Sequence, residues 1–245
     1  MLRLLRFLTG AFLIPLCVAV TLALLDVVRH IPSSGNSLLS PESTWLLTGY
    51  FLWLGMWFFL PQPVRAYVAA HELTHALWGL LCGARVSNVR VSSKGGSVRL
   101  SKSNMIITLA PYFFPLYTLL VILLRLLIGC FVSPVPYPLA WLFFVGLTWG
   151  FHVTFTVQSL IITQPDIQEY GRLFSYTIIY LFNLTGVGLW IVCTTSVGID
   201  CFVSALVTHI LAVYASVYDE LCTRTHFLMT TVKPTIVKLL YYRSS

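Results

Sequence analysis

Long apolar runs separated by short polar stretches dominate the chain. A bilayer core about 30 Å thick takes roughly 20 apolar residues per helix. Six runs approach or exceed that length: 7–28, 44–60, 105–132, 138–162, 173–193 and 201–218. The pattern predicts an all-α polytopic membrane protein with about six transmembrane helices. A further helical run, 64–82, differs because Arg65, His71, Glu72, Thr74 and His75 stand among its apolar residues. Ionisable groups at membrane depth are costly unless something compensates them. This helix therefore reads as a partial span with a chemical task.

Directly after it the period changes from helical to alternating. Val89 and Val91 alternate with Arg90 and Ser92, Lys94-Gly95-Gly96-Ser97 intervenes, and Val98 and Leu100 flank Arg99. Gly-Gly between alternating runs signals a hairpin, so 86–101 is expected to form a short membrane-associated β-hairpin. A turn at Gly95-Gly96 would pair Val91 with Leu100 and Ser93 with Val98, with the aliphatic side chains on one face and the two arginines on the other.

Composition agrees with this reading. The chain is 58% hydrophobic and 9% charged, with a mean hydropathy of +0.85, against about 45–50% and 25% in soluble domains. A soluble enzyme, a nucleic-acid module and a disordered tail are excluded for the whole chain. The net charge of +7 is explained by juxtamembrane basic residues. Arg3 and Arg6 point to a cytoplasmic N-terminus. Arg224, Lys233, Lys238 and Arg243 do the same for the C-terminus, and Arg85, Arg90, Lys94, Arg99 and Lys102 place the hairpin on that side. An integral, multi-pass protein with both termini inside follows, provided 64–82 enters and leaves by one face. Loop 133–137 then lies outside, and 163–172 returns to the hairpin's side. The basic start and long run at 7–28 read as a retained anchor, and the six scattered cysteines as small buried hydrophobes. A single integral membrane domain covers 1–245.

The chemistry concentrates in His71-Glu72-Leu73-Thr74-His75. Histidines at i and i+4 share a helix face and can grip one metal, while the intervening glutamate can take a proton from water without being a ligand. Zinc suits such a site because it lowers the pKa of a bound water to about 7. A catalytic zinc needs a third protein ligand. Asp166 is favoured, since Gln164-Pro165-Asp166 ends a span on the face where the motif helix sits. Glu169 and the intramembrane His152 stay open as alternatives.

At this point the chain resembles the site-2 protease family of intramembrane zinc metalloproteases. The resemblance rests on the His71–His75 motif in a membrane helix, the Gly-Gly hairpin after it, the Ala-Pro-Tyr-Phe-Phe-Pro run at 110–115, and a later aspartate before a span. It covers about 64–180, which would be the metalloprotease core. It implies zinc held by His71, His75 and Asp166, with Glu72 as the catalytic base. The family's third-ligand pattern, N-x-x-P-x-x-x-x-D-G, departs here to Gln158, Ile161 and Ile167, which marks a divergent member. Gln158 retains an amide able to bind a substrate backbone. The hairpin edge near Val98 and Leu100 would hold an unwound substrate extended, replacing helix hydrogen bonds with strand pairing. The expected activity is hydrolysis of peptide bonds in or near the transmembrane segments of other membrane proteins. The expected partners are those substrates and the lipid bilayer, with no nucleic acid. Two rivals are a protease resembling the zinc-dependent CAAX-prenyl type, with Glu169 or Glu220 as ligand, and a non-proteolytic metal-binding membrane protein.

Overall fold

The computed structural model describes residues 1–31, 40–195 and 197–232. Lys233, Lys238 and Arg243, three of the residues that argue for a cytoplasmic C-terminus, lie outside the described residues. The elements run α1 (Leu2–His30), α2 (Pro41–Phe59), α3 (Val64–Leu81), β1 (Val86–Ser92), β2 (Gly95–Leu100), α4 (Met105–Leu109), α5 (Leu116–Phe131), α6 (Pro138–Ile161), α7 (Pro165–Tyr170), α8 (Arg172–Thr194) and α9 (Ile199–Phe227).

Four described helices, α1, α6, α8 and α9, are long and apolar enough to cross a membrane. The run 105–132 is not one straight helix. It breaks at Phe113–Pro115, and its two parts, Met105–Tyr112 and Leu116–Phe131, meet at 84°. The cause is local: Pro115 has no N–H to continue the ladder, and the residue before a proline is pushed out of the α region. Counted as one bent span, the pair makes a fifth candidate. Helix α2 falls short because its 19 residues open on the polar turn Pro41-Glu42-Ser43-Thr44 and carry Trp45, Tyr50, Trp53 and Trp57, which together lower its hydropathy.

Two packed groups of helices hold the site between them. In the first, α2 runs parallel to α6 at close range. A Cβ on Gly49 would strike the Phe143 carbonyl, and one on Gly146 would strike the Leu46 carbonyl, so the backbones touch where side chains are missing. Trp53 caps this seam by donating its indole N–H to Thr154 at 2.9 Å. In the second, α1 packs against α8 and α9 around Val27, Ile191 and Phe202. Helices α1 and α9 are antiparallel: Tyr214 donates to the Phe12 carbonyl at 2.8 Å, while His209 meets Asp26 farther along α1. The N-terminal end of α1 reaches α7, where Arg6 donates to the Glu169 carbonyl at 2.7 Å. The start of α1, the end of α9 and α7 thus share one side of the molecule. The outward faces of α1, α5 and α9 are lined with exposed Leu, Val and Phe, as befits helices solvated by lipid rather than water.

The hairpin forms where the alternation predicts it, but in a different register. The turn is Ser93-Lys94, not Gly95-Gly96. Ser92 pairs with Gly95, Val91 with Gly96 and Val86 with Leu100, so the expected pairings of Val91 with Leu100 and Ser93 with Val98 do not occur. An irregularity between Ser87 and Arg90, with Asn88 at φ 54°, absorbs the shift. Contact with α3 accounts for a glycine inside the strand. A Cβ on Gly96 would fall 2.5 Å from Glu72 Cγ and 2.6 Å from Val68 Cγ1. Leu100 packs on Gly79 in the same way.

Candidate metal centre and cleft

Helix α3 delivers His71, Glu72 and His75 to one end of a cleft of about 640 Å³. Its other walls are β2, the start of α4 and the Gln164–Glu169 stretch. Tyr67, four residues before His71, extends the same helix face. Pro165 opens α7 and Asp166 follows in its first turn, which turns the carboxylate back toward α3.

Three electron-rich atoms converge here. His71 Nε2 lies 3.2 Å from His75 Nε2 and 3.2 Å from Asp166 Oδ2, and His75 Nε2 lies 3.4 Å from the same oxygen. Among the described residues this is the one group of three such side chains with ligand atoms close enough to share an ion. Three such atoms this close repel unless a cation stands among them, either a proton or a metal. Four-coordinate zinc with bonds of about 2.0–2.2 Å sets its ligand atoms about 3.3–3.6 Å apart. The observed separations of 3.2–3.4 Å come close to that spacing.

Outer contacts orient the set. His75 places Nδ1 at 2.8 Å from the Ile107 carbonyl. A carbonyl only accepts, so Nδ1 carries the proton and Nε2 points its lone pair into the cluster when the ring is neutral. Ile107 is held in turn, because Asn104 caps α4 by accepting from the Ile107 N–H at 2.9 Å. Tyr112 donates to Asp166 Oδ2 at 3.1 Å. Burial alone would raise the Asp166 carboxyl, but the hydrogen bonds to His71 and His75 outweigh it and hold the group well below the usual carboxylate range. Glu72 is buried, lines the cleft beside the cluster and lies against Gly96. It is not one of the three converging groups.

Of the sequence-predicted site residues, His71, Glu72, His75, Asp166, Val98 and Leu100 all border the cleft. Gln158 does not. It points to Gln62 at 3.4 Å, outside the lining. Glu169 lines the cleft without joining the cluster, Glu220 bonds Arg224 at 2.6 Å on α9, and His152 is buried within α6. A search of family models, curated proteins and solved structures finds no match to this chain.

Three contributors escape sequence reasoning: Tyr112, the Ile107 carbonyl and Gly96. Only the tyrosine's neighbours left a trace, in the proline-flanked run at 111–115. Tyr67 was within reach, since Tyr67, His71 and His75 recur every four residues.

The direction of the β2 backbone follows from one bond. Ser101 donates to the Arg85 carbonyl at 3.0 Å. Bonded and non-bonded pairs alternate in an antiparallel ladder, so the N–H groups of Leu100 and Val98 point away from β1, to the unpaired edge of β2.

Proposed function

We propose that this chain is an intramembrane zinc metalloprotease that hydrolyses peptide bonds in or near transmembrane segments of other membrane proteins. One observation carries the reading: two imidazole nitrogens and a carboxylate oxygen converge at 3.2–3.4 Å in a cleft that also holds a buried glutamate and a strand with a free edge. His71, His75 and Asp166 would hold a zinc ion, which would supply Lewis acidity toward the scissile carbonyl and lower the pKa of water.

The chain's own residues do the rest. Glu72 takes the proton of the attacking water and passes it to the nitrogen of the leaving amine as the carbon–nitrogen bond breaks. The free edge of β2, through the N–H groups of Val98 and Leu100, pairs with the substrate backbone and holds it extended. A transmembrane helix hides its carbonyls in its own hydrogen bonds, so local unwinding must come first, and strand pairing offsets the bonds lost. Tyr112 and the Ile107 carbonyl keep Asp166 and His75 turned into the cluster that would hold zinc.

The topology belongs to the same proposal. Helix α2 runs beside α6 from Leu46 to Trp53, matching Gly146 to Thr154, so it traverses the same depth and counts as a span. With α1, the bent 105–131 pair, α6, α8 and α9 this makes six crossings, both termini cytoplasmic, and α3 confined to the cytoplasmic half. Asp166 stands at the imidazoles where a CAAX-type assignment would need Glu169 or Glu220.

Purified protein incubated with a panel of single-span membrane substrates tests the activity. Cleavage that stops with a zinc chelator and returns with added zinc is expected. Cleavage indifferent to chelation, or none across the panel at full zinc occupancy, overturns the reading.

A further inference from the structure

On the far side of α7 from the cleft lies a second concavity, of about 370 Å³, between the first turns of α1, the end of α7 and the start of α8. Arg3, Arg6 and Arg172 all line it, against a single carboxylate, Glu169. Three cations around one hollow are hard to explain by structure alone. Arg6 has a structural task, since it donates to the Glu169 carbonyl at 2.7 Å and its guanidinium lies 4.4 Å from the Tyr170 ring centroid. Arg3 and Arg172 are exposed, and among the described residues neither has an ion-pair partner.

The rest of the lining says what the cations are for. Phe7, Leu173 and Phe174 add an apolar part to the same hollow. Farther along the α1 face that carries Phe7, Ile14 and Val18 are exposed. Guanidinium groups next to an apolar surface at a helix end match a molecule with an anionic phosphate joined to acyl chains. Arginine's planar fork binds phosphate oxygens two at a time.

We infer that this hollow is a binding site for the phosphate headgroup of an anionic phospholipid, seated on Arg3, Arg6 and Arg172 with its acyl chains along α1. Glu169 borders both this site and the cleft, so the lipid sits one short helix away from Asp166. The inference concerns binding and stands apart from the proteolytic reading.

The test uses the full chain, purified in detergent, delipidated and titrated with phosphatidylglycerol, with bound lipid counted by native mass spectrometry. Each basic residue near an anionic surface strengthens attraction about fivefold, so the Arg3→Gln/Arg172→Gln variant should bind about 25-fold more weakly. The Arg3→Lys/Arg172→Lys variant, which keeps the charge, should recover most of the loss. Removing two cations elsewhere, in Arg85→Gln/Arg90→Gln, should leave binding near wild type. Equal losses in the two glutamine variants would reduce the effect to diffuse surface charge and overturn the site, as would no loss in Arg3→Gln/Arg172→Gln. Full displacement of the lipid by millimolar inorganic phosphate would assign the hollow to soluble phosphate and overturn the lipid occupant.

Discussion

At the scale of single residues, the account turns on which carboxylate completes the cluster. Asp166 Oδ2 lies within 3.4 Å of both imidazoles, whereas Glu169 lines the cleft without joining them. Asp166→Ala should therefore weaken zinc binding by more than the roughly 10–100-fold expected for losing an outer partner. Tyr112→Phe removes such a partner and should fall inside that range, while Glu169→Ala should match wild type; metal-competition titration against a chromogenic chelator reads all three. Gly96 gives a separate expectation. Gly96→Ala puts a methyl group where Glu72 Cγ and Val68 already stand, so Glu72 or the strand must move. A displacement near 1 Å can cost about 100-fold in rate. Cleavage should fall by that order with zinc content unchanged, measured by product formation and metal analysis on the same sample. The histidines and Glu72 were legible in the sequence because their spacing maps directly onto a helix face. Tyr112, the Ile107 carbonyl and Gly96 were not, because each acts through an element distant in sequence.

At the scale of elements, the hairpin shows how far local pattern reaches. Its limits are readable from alternation, and helix α3, expected at 64–82, runs Val64–Leu81. The register is not readable, because Gly-Gly is the strongest local turn signal and here serves close contact with α3 instead. The broken run is similar: apolar length makes 105–132 a candidate span, but the 84° bend depends on how Pro115 is accommodated. The backbone directions in β2 sharpen the strand-pairing mechanism into a comparison. Val98→Pro and Leu100→Pro remove N–H groups at the free edge and leave the ladder to β1 intact. Each should cut cleavage of a transmembrane substrate at least tenfold while zinc content stays near wild type, with Val98→Ala and Leu100→Ala as packing controls. Undiminished cleavage by both folded proline variants would leave the unwinding of substrate to the break at Phe113–Pro115.

At the scale of the whole molecule, the basic residues and the packing lead to the same arrangement. The antiparallel α1 and α9, and the Arg6 contact to α7, gather the N-terminal start, the end of α9 and the Asp166 segment on one side. Reporter tags at the N-terminus, at Gly95 and at the C-terminus should all read as cytoplasmic, and a tag at Ser133 as external. An external Gly95 would make α3 a full span and reverse every later loop. Charge distribution alone supplies the expected sidedness, which these tags test. Length and hydropathy give four candidate crossings, or five with the bent pair; α2 is left out because its polar first turn and its tryptophans lower its hydropathy, although it runs beside α6. The central claim, that a buried glutamate beside a three-ligand zinc site drives peptide hydrolysis, meets its most direct test in Glu72→Gln. The rate of product release from one single-span substrate is measured for wild type and for this variant, both loaded to the same zinc content. Loss of a general base costs about 10²–10⁴-fold, and a fall of that size with zinc retained is the predicted result. A Glu72→Gln protein that cleaves at the wild-type rate would contradict the account.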